Sequence, residues 1–330
     1  MITRRRTLAV LAAGSVSAPA VLRAQAPTTW IVYTYVPAAT LAPARVFQEI
    51  VERVAKETNG QLLLKYHLGG ALTIKGTDIT TAVGDNVIQI GDDGMQQGNV
   101  PITGILRLPM LITSTQELDK ALAVMKPYVD KAYDKRGSTV LTTYYFPLQF
   151  AWSSKKLTSL DDFKGQKIRA TSPEQIEFLK RFGANGLTVS GAEVPSALER
   201  GVVDGVLTAQ SGGGKVWHDL LKYNFDLGIN FFEANIAVNK EAYAKLPADQ
   251  REALTKAIVE LSPKMTKLLF EEESQEKAKR QAEGMIQTAA TPEDYKRGAE
   301  RMTSYWEEWA KPKGAETQEA LKKVREALGR

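Results

Sequence analysis

Residues 165–208 read GQKIRATSPEQIEFLKRFGANGLTVSGAEVPSALERGVVDGVLT, and this stretch decides the fold. Residues 166–170 form a short strand with Lys167 and Arg169 on one face. Ser172, Pro173 and Gln175 then announce a helix: a hydroxyl cap, proline in the first turn, and Gln three residues after the cap. Ile176, Leu179 and Phe182 supply its apolar stripe, and Gly183 stops it. A second short helix over residues 192–200 ends at Gly201, and residues 202–207 return as a buried strand. Arg169 is thereby set at the carboxyl end of a strand facing a helix start, where α/β folds hold anions.

Upstream, residues 28–35 (TTWIVYTY) read as the first strand. A helix over 42–58 puts Val46, Phe47, Ile50, Val51 and Val54 on one face and stops at Asn59-Gly60. Residues 61–67 and 87–91 are further strands with a short helix, 77–83, between them. Thr115 caps a long amphipathic helix to about Lys135, and residues 139–146 follow as a strand. The alternation predicts an α/β domain with a largely parallel sheet. Residues 149–154 enter a second α/β unit, the one containing the opening stretch, and 232–239 read as a strand crossing back. After Leu246-Pro247 a helical period runs through Leu254, Ile258, Leu261, Met265 and Leu269, with a kink expected at Pro263. Glu271, Glu272 and Glu273 read as the solvated face of a helix bridging two lobes. Two lobes with several crossings and a site between them describe a hinged ligand-binding protein. The expected division is a leader at 1–24, a first domain of 25–147 plus about 237–270, and a second of 148–236 plus about 271–330 with the C-terminal helices.

The chain has 330 residues, 43% hydrophobic and 25% charged, enough for two cores. Arg4-Arg5-Arg6, a short apolar run and small residues make the first 24 residues an export leader, too short to span a bilayer permanently. Thr3 to Leu8 approach the twin-arginine pattern, with Thr7 where an aromatic is usual, so the Tat and Sec routes both stay open. Cleavage is expected after Ala24. Loss of Arg4, Arg5, Arg6 and Arg23 lowers the formal charge from +5 to +1, which removes the argument for a nucleic-acid partner. The chain has no cysteine, so an exported protein of this length must rely on its core.

With its flanks, the opening stretch resembles the solute-binding proteins of tripartite ATP-independent periplasmic (TRAP) transporters. The matching pieces are LTSLDDFKGQKIR at 157–169, AEVPSALERGVVDG at 192–205, Leu108-Pro109 ahead of a helix, and LPADQREAL at 246–254. The resemblance implies a two-lobed periplasmic binding protein of the Venus-flytrap kind, with a long interdomain C-terminal helix, closing around an organic anion. It also implies delivery of the cargo to small and large membrane permease subunits; a periplasmic monomer with no cofactor and no metal-ligand set is expected, with a metal bridging the ligand carboxylate left open. Arg169 would pair with the ligand carboxylate, the task a planar guanidinium fork suits. Each charge-assisted hydrogen bond would contribute ~1.5–3 kcal/mol, against about 8 kcal/mol for micromolar binding.

The departures narrow the ligand. Gln149 stands where many relatives carry a second Arg, Thr208 where an Asn often follows the turn, and Asp92 where an acid or amide follows the third strand. Fewer fixed charges, with Tyr35, Trp152 and Phe232 nearby in sequence and Ser211 in a flexible loop at the cleft edge, point to one class. It is a monocarboxylate with an apolar or aromatic body, or a 2-oxo or 2-hydroxy acid. Core packing is the alternative role for each aromatic. Arg169 could instead pair with Asp162.

Other constellations fall short. Residues 210–215, QSGGGK, lack the first Gly and the final Ser or Thr of a phosphate loop. His67 and His218 have no metal-ligand companions, and Trp306 and Trp309 read as helix packing. An enzyme using Asp92 or Asp93 as base, or a binding protein serving another transporter or a sensor, are the alternative functions.

Overall fold

The computed structural model describes residues 26–330, so the leader and its cleavage point lie outside the described residues. In chain order the strands are β1 (Thr28–Thr34), β2 (Leu62–His67), β3 (Ile90–Asp93), β4 (Ser138–Phe146), β5 (Phe150–Ser153), β6 (Lys167–Ala170), β7 (Asn185–Thr188), β8 (Gly205–Thr208), β9 (Tyr223–Asp226), β10 (Phe232–Asn239) and β11 (Ile286–Ala289). They form two sheets, ordered β2-β1-β3-β10-β4 and β11-β9-β5-β8-β6-β7.

The sheets are mixed rather than largely parallel. β1 runs parallel to β2 and β3, and β6 parallel to β7 and β8. β10 is antiparallel to β3 and β4, and β5 to β8 and β9. The antiparallel members sit at the crossings, where β4 leaves one sheet for β5 in the other and β9 leads back to β10. No crossover helix constrains these strands to the parallel direction. All of β10 lies in the first sheet, so the expected domain border at 236/237 falls inside a strand.

The opening stretch folds nearly as read. Ser172 Oγ accepts from the Gln175 backbone N–H at 3.4 Å, the helix spans Pro173–Arg181, and Gly183 takes φ 78°. Val202, however, is exposed in a turn, and only Gly205–Thr208 is strand. β3 starts at Ile90 because Asn86, at φ 57°, turns the chain late. Ser114 rather than Thr115 caps the Thr115–Asp134 helix, accepting from Glu117 N–H at 3.2 Å.

The Ala248–Ala282 helix runs unbroken past Pro263. Leu254, Ala257, Ile258, Met265 and Leu269 bury into the core of the first sheet together with Val46, Phe47 and Ile50. Its second half reaches the other lobe, and there Glu272 and Glu273 of the acidic run turn inward while Glu271 stays exposed. Glu273 accepts from the backbone N–H of Gln210 (2.9 Å) and Ser211 (2.8 Å) and from Ser211 Oγ (2.7 Å). Glu272 pairs both with Arg45 of the first lobe and with Lys215 of the second, the latter at 2.7 Å.

The C-terminal helices also join the lobes. In Pro292–Ala310, Trp306 Nε1 donates to Pro109 O (3.0 Å) and Trp309 Nε1 to Glu174 Oε1 (2.8 Å). Ala320, Leu321 and Val324 of the last helix share a core with Leu118, Ala121 and Met125.

Candidate functional site

The crossings 147–149 and 228–231 are hydrogen-bonded to each other. Gln149 N–H donates to Asn230 O (2.8 Å) and Ile229 N–H to Gln149 O (3.0 Å). Beside them, between the sheets, lies a cleft of about 450 Å³ of atom-free space, its open mouth included. Tyr35 and Val36 enter it from the end of β1, Phe146 and Phe232 from β4 and β10, and Arg169 and Thr208 from the ends of β6 and β8. This is the position in open α/β sheets where ligands bind.

Arg169 is buried, and none of the described carboxylates pairs with it. Nε donates to Val189 O (2.9 Å), Nη1 reaches Leu207 O only at 3.4 Å, and the guanidinium carbon lies 5.4 Å from the Trp217 ring centroid. Asp162 is occupied elsewhere: it caps Thr158 at 2.8 and 2.9 Å and faces Lys156. Burial, with a smaller push from the charge of Arg107 and partly opposed by Tyr35, lowers the Arg169 pKa to about 10, and the group stays cationic at neutral pH. A buried charge without a counter-ion is costly, and an anion in the cleft would offset that cost.

Two neighbours complete the polar lining. Gln149 Nε2 donates to Pro147 O (3.0 Å), and Thr208 Oγ1 accepts from Gly213 N–H (2.8 Å). The hydroxyl proton of Thr208 is left for the cleft. The glycine-rich loop is a buried turn, and its Gly212 and Gly213 line the cleft. A Cβ on Gly213 would lie 2.0 Å from Trp217, so only glycine lets that indole approach Arg169.

Residues 34–312 match the model of bacterial extracellular solute-binding protein family 7. The chain belongs to that family. The resemblance to TRAP solute-binding proteins therefore stands. A marine-metagenome TRAP solute-binding protein specific for pyroglutamate is similar at 26% identity and a TM-score of 0.83, covering 92% of this chain and 100% of that one. A Bordetella pertussis extracytoplasmic solute receptor that binds pyroglutamic acid matches at 26% and 0.84, covering 91% and 100%. The C4-dicarboxylate-binding periplasmic protein of Rhodobacter capsulatus is 29% identical over 57% of this chain, and the chain spans 58% of that relative's length.

Three expected site residues of this family-7 protein lie outside the cleft. Trp152 is fully buried beneath the glycine loop, its Nε1 donating to Thr208 O (3.0 Å), so it supports the wall. Ser211 turns away to Glu273. Asp92 lies one layer behind Tyr35, held by Thr34 and Tyr144; Asp93 bonds Thr80 and Tyr133 (3.1 Å). Neither acid reaches the cleft as a base would have to.

Other residues were not anticipated. Thr171 and Phe146 line the cleft within three positions of Arg169 and Gln149, a proximity the sequence offered. Arg107 gave no local signal. It is fully buried, pairs with Glu233, donates to Gly94 O (3.0 Å), Glu233 O (2.6 Å) and Thr171 Oγ1 (3.3 Å), and sits 3.9 Å over Phe232. At the mouth the lobes touch: Gly76 N–H donates to Ser190 Oγ (3.3 Å), and a Cβ on Gly70 would lie 2.8 Å from that of Ala192.

Proposed function

We propose that this chain is the extracytoplasmic binding subunit of a TRAP transporter that captures a small organic monocarboxylate for uptake through small and large membrane permease subunits. The observation that carries the reading is Arg169, a buried cation with no acidic partner among the described residues, in a cleft walled by Tyr35, Phe146, Trp217 and Phe232. Its guanidinium would take the carboxylate, with Gln149 and Thr208 orienting the body. One fixed charge among aromatics fits a single acid group on a compact, weakly polar body. Pyroglutamate, bound by two similar proteins, is of this kind. The arginine-rich leader supports export, and closure of the two lobes would present one face to the permease.

The test is a thermal-shift screen of mono-, di-, aromatic and sugar acids. Monocarboxylates are expected to stabilise the protein, by about 2.7 kcal/mol at a hundredfold excess over Kd. Arg169→Ala should abolish the gain and leave the fold intact. A mutant that gains as much as wild type removes Arg169 as anchor, and stabilisation by dicarboxylates or sugar acids alone overturns the ligand class.

A further inference from the structure

The binding reading leaves unused a hydrogen-bond chain in the cleft wall. Asp92 Oδ2 accepts from Thr34 Oγ1 at 2.6 Å, and both carboxylate oxygens lie within 3.1 Å of the Tyr144 hydroxyl. Tyr144 OH in turn lies 3.2 Å from the hydroxyl of Tyr35, which lines the cleft. Each phenol carries one proton. When Tyr144 gives its proton to charged Asp92, the Tyr35–Tyr144 bond must use the proton of Tyr35. The Tyr35 oxygen then offers the cleft lone pairs only. When Asp92 is protonated the chain can run backwards: Asp92 donates to Tyr144, Tyr144 to Tyr35, and Tyr35 donates into the cleft.

We propose that Asp92, acting through Tyr144, sets the Tyr35 hydroxyl as a hydrogen-bond acceptor, so that the site selects carboxylates carrying an N–H or O–H on their body. Asp92 is a positioning residue in this scheme, and the inference rests on the cleft reading above. The groups facing Asp92 are Thr34 on β1, the Tyr66 hydroxyl on β2, Tyr144 on β4, Tyr35, and its neighbour Asp93. Among the described residues no Lys or Arg pairs with it; the charge of Arg107 is felt at Tyr35 and Asp93. Burial, with a small contribution from Asp93, pushes its pKa up to about 7. Donor selectivity is therefore expected above that pH and is lost below it.

The test uses matched probes: pyroglutamate against 5-oxotetrahydrofuran-2-carboxylate, whose ring oxygen replaces the N–H, and lactate against 2-methoxypropanoate. Affinities are measured by titration calorimetry between pH 5.5 and 8.5. Wild type should favour the donor member roughly three- to tenfold at pH 8, one hydrogen bond's worth, and the ratio should shrink through pH 7. Taking the ratio cancels any pH effect common to both members of a pair. Tyr144→Phe, which leaves Asp92 and Tyr35 in place, should hold the ratio within about twofold at every pH. Tyr35→Phe should do the same should Tyr144→Phe fail to fold. Arg169-dependent binding with no donor preference, or a preference unchanged by pH and by Tyr144→Phe, overturns the proposal. If no carboxylate binds through Arg169, the cleft reading fails and this inference falls with it.

Discussion

Arg107 and Arg169 are both buried beside one cleft, and their surroundings are opposite. Arg107 has a carboxylate, two carbonyls, a hydroxyl and an aromatic face, drawn from both lobes. Arg169 has one good carbonyl bond, one long one and the distant face of Trp217. The first charge is satisfied by the fold and can only hold it together. The second is left for something the fold does not supply. Burial alone would not separate these roles; the count of partners does.

The largest effect should come from breaking the satisfied side. Arg107→Met leaves Glu233 buried without its cation and should cost about 3–5 kcal/mol in urea unfolding. A loss under about 1 kcal/mol would show that the pair does not hold the fold.

The acids sharpen the same contrast. Glu233 has Arg107, whereas Asp92 has only hydroxyls, and burial raises Asp92 to about 7 and Asp93 to about 6. The folded state therefore binds protons more tightly than the unfolded chain between pH 4 and 7. The stability this confers is full below about pH 4 and is lost as pH rises through 7. Ligand-free protein should lose on the order of a few kcal/mol between pH 5 and 8. Asp92→Asn should flatten that slope, and an unchanged slope would assign it to other groups.

The smallest effect belongs to the unsatisfied side. Ligand-free Arg169→Ala should stay within about 1 kcal/mol of wild type or gain slightly, while its response to carboxylates disappears. A loss matching that of Arg107→Met would erase the distinction.

Long, strongly patterned elements were legible: the 42–58 helix, the 232–239 strand and the capped helix after Ser172 appear within a residue or so. Strands β7, β9 and β11 were not, because four residues such as Asn185-Gly186-Leu187-Thr188 carry too short an alternation to stand out. Arg169 was legible through its strand-end position and surrounding motif. The Arg107–Glu233 pair spans 126 positions and the Asp92–Tyr144 bond 52, and neither partner has a local pattern naming the other. Ser211 and Trp152 were near the site in sequence, but turn direction and strand face aimed them away from it. Glu272 and Glu273 were not legible as inward groups because the cations and amides that meet them come from far along the chain.

The mouth contacts bear on time rather than strength. Gly76 and Ser190 meet at 3.3 Å, and Gly70 leaves no gap before Ala192. A ligand leaving past these contacts would have to part that seam. Ser190→Ala should therefore quicken dissociation roughly two- to tenfold in stopped-flow traces, with association little altered. An unchanged release rate would move the gate elsewhere. Residence time would then be set by a serine and two glycines rather than by Arg169.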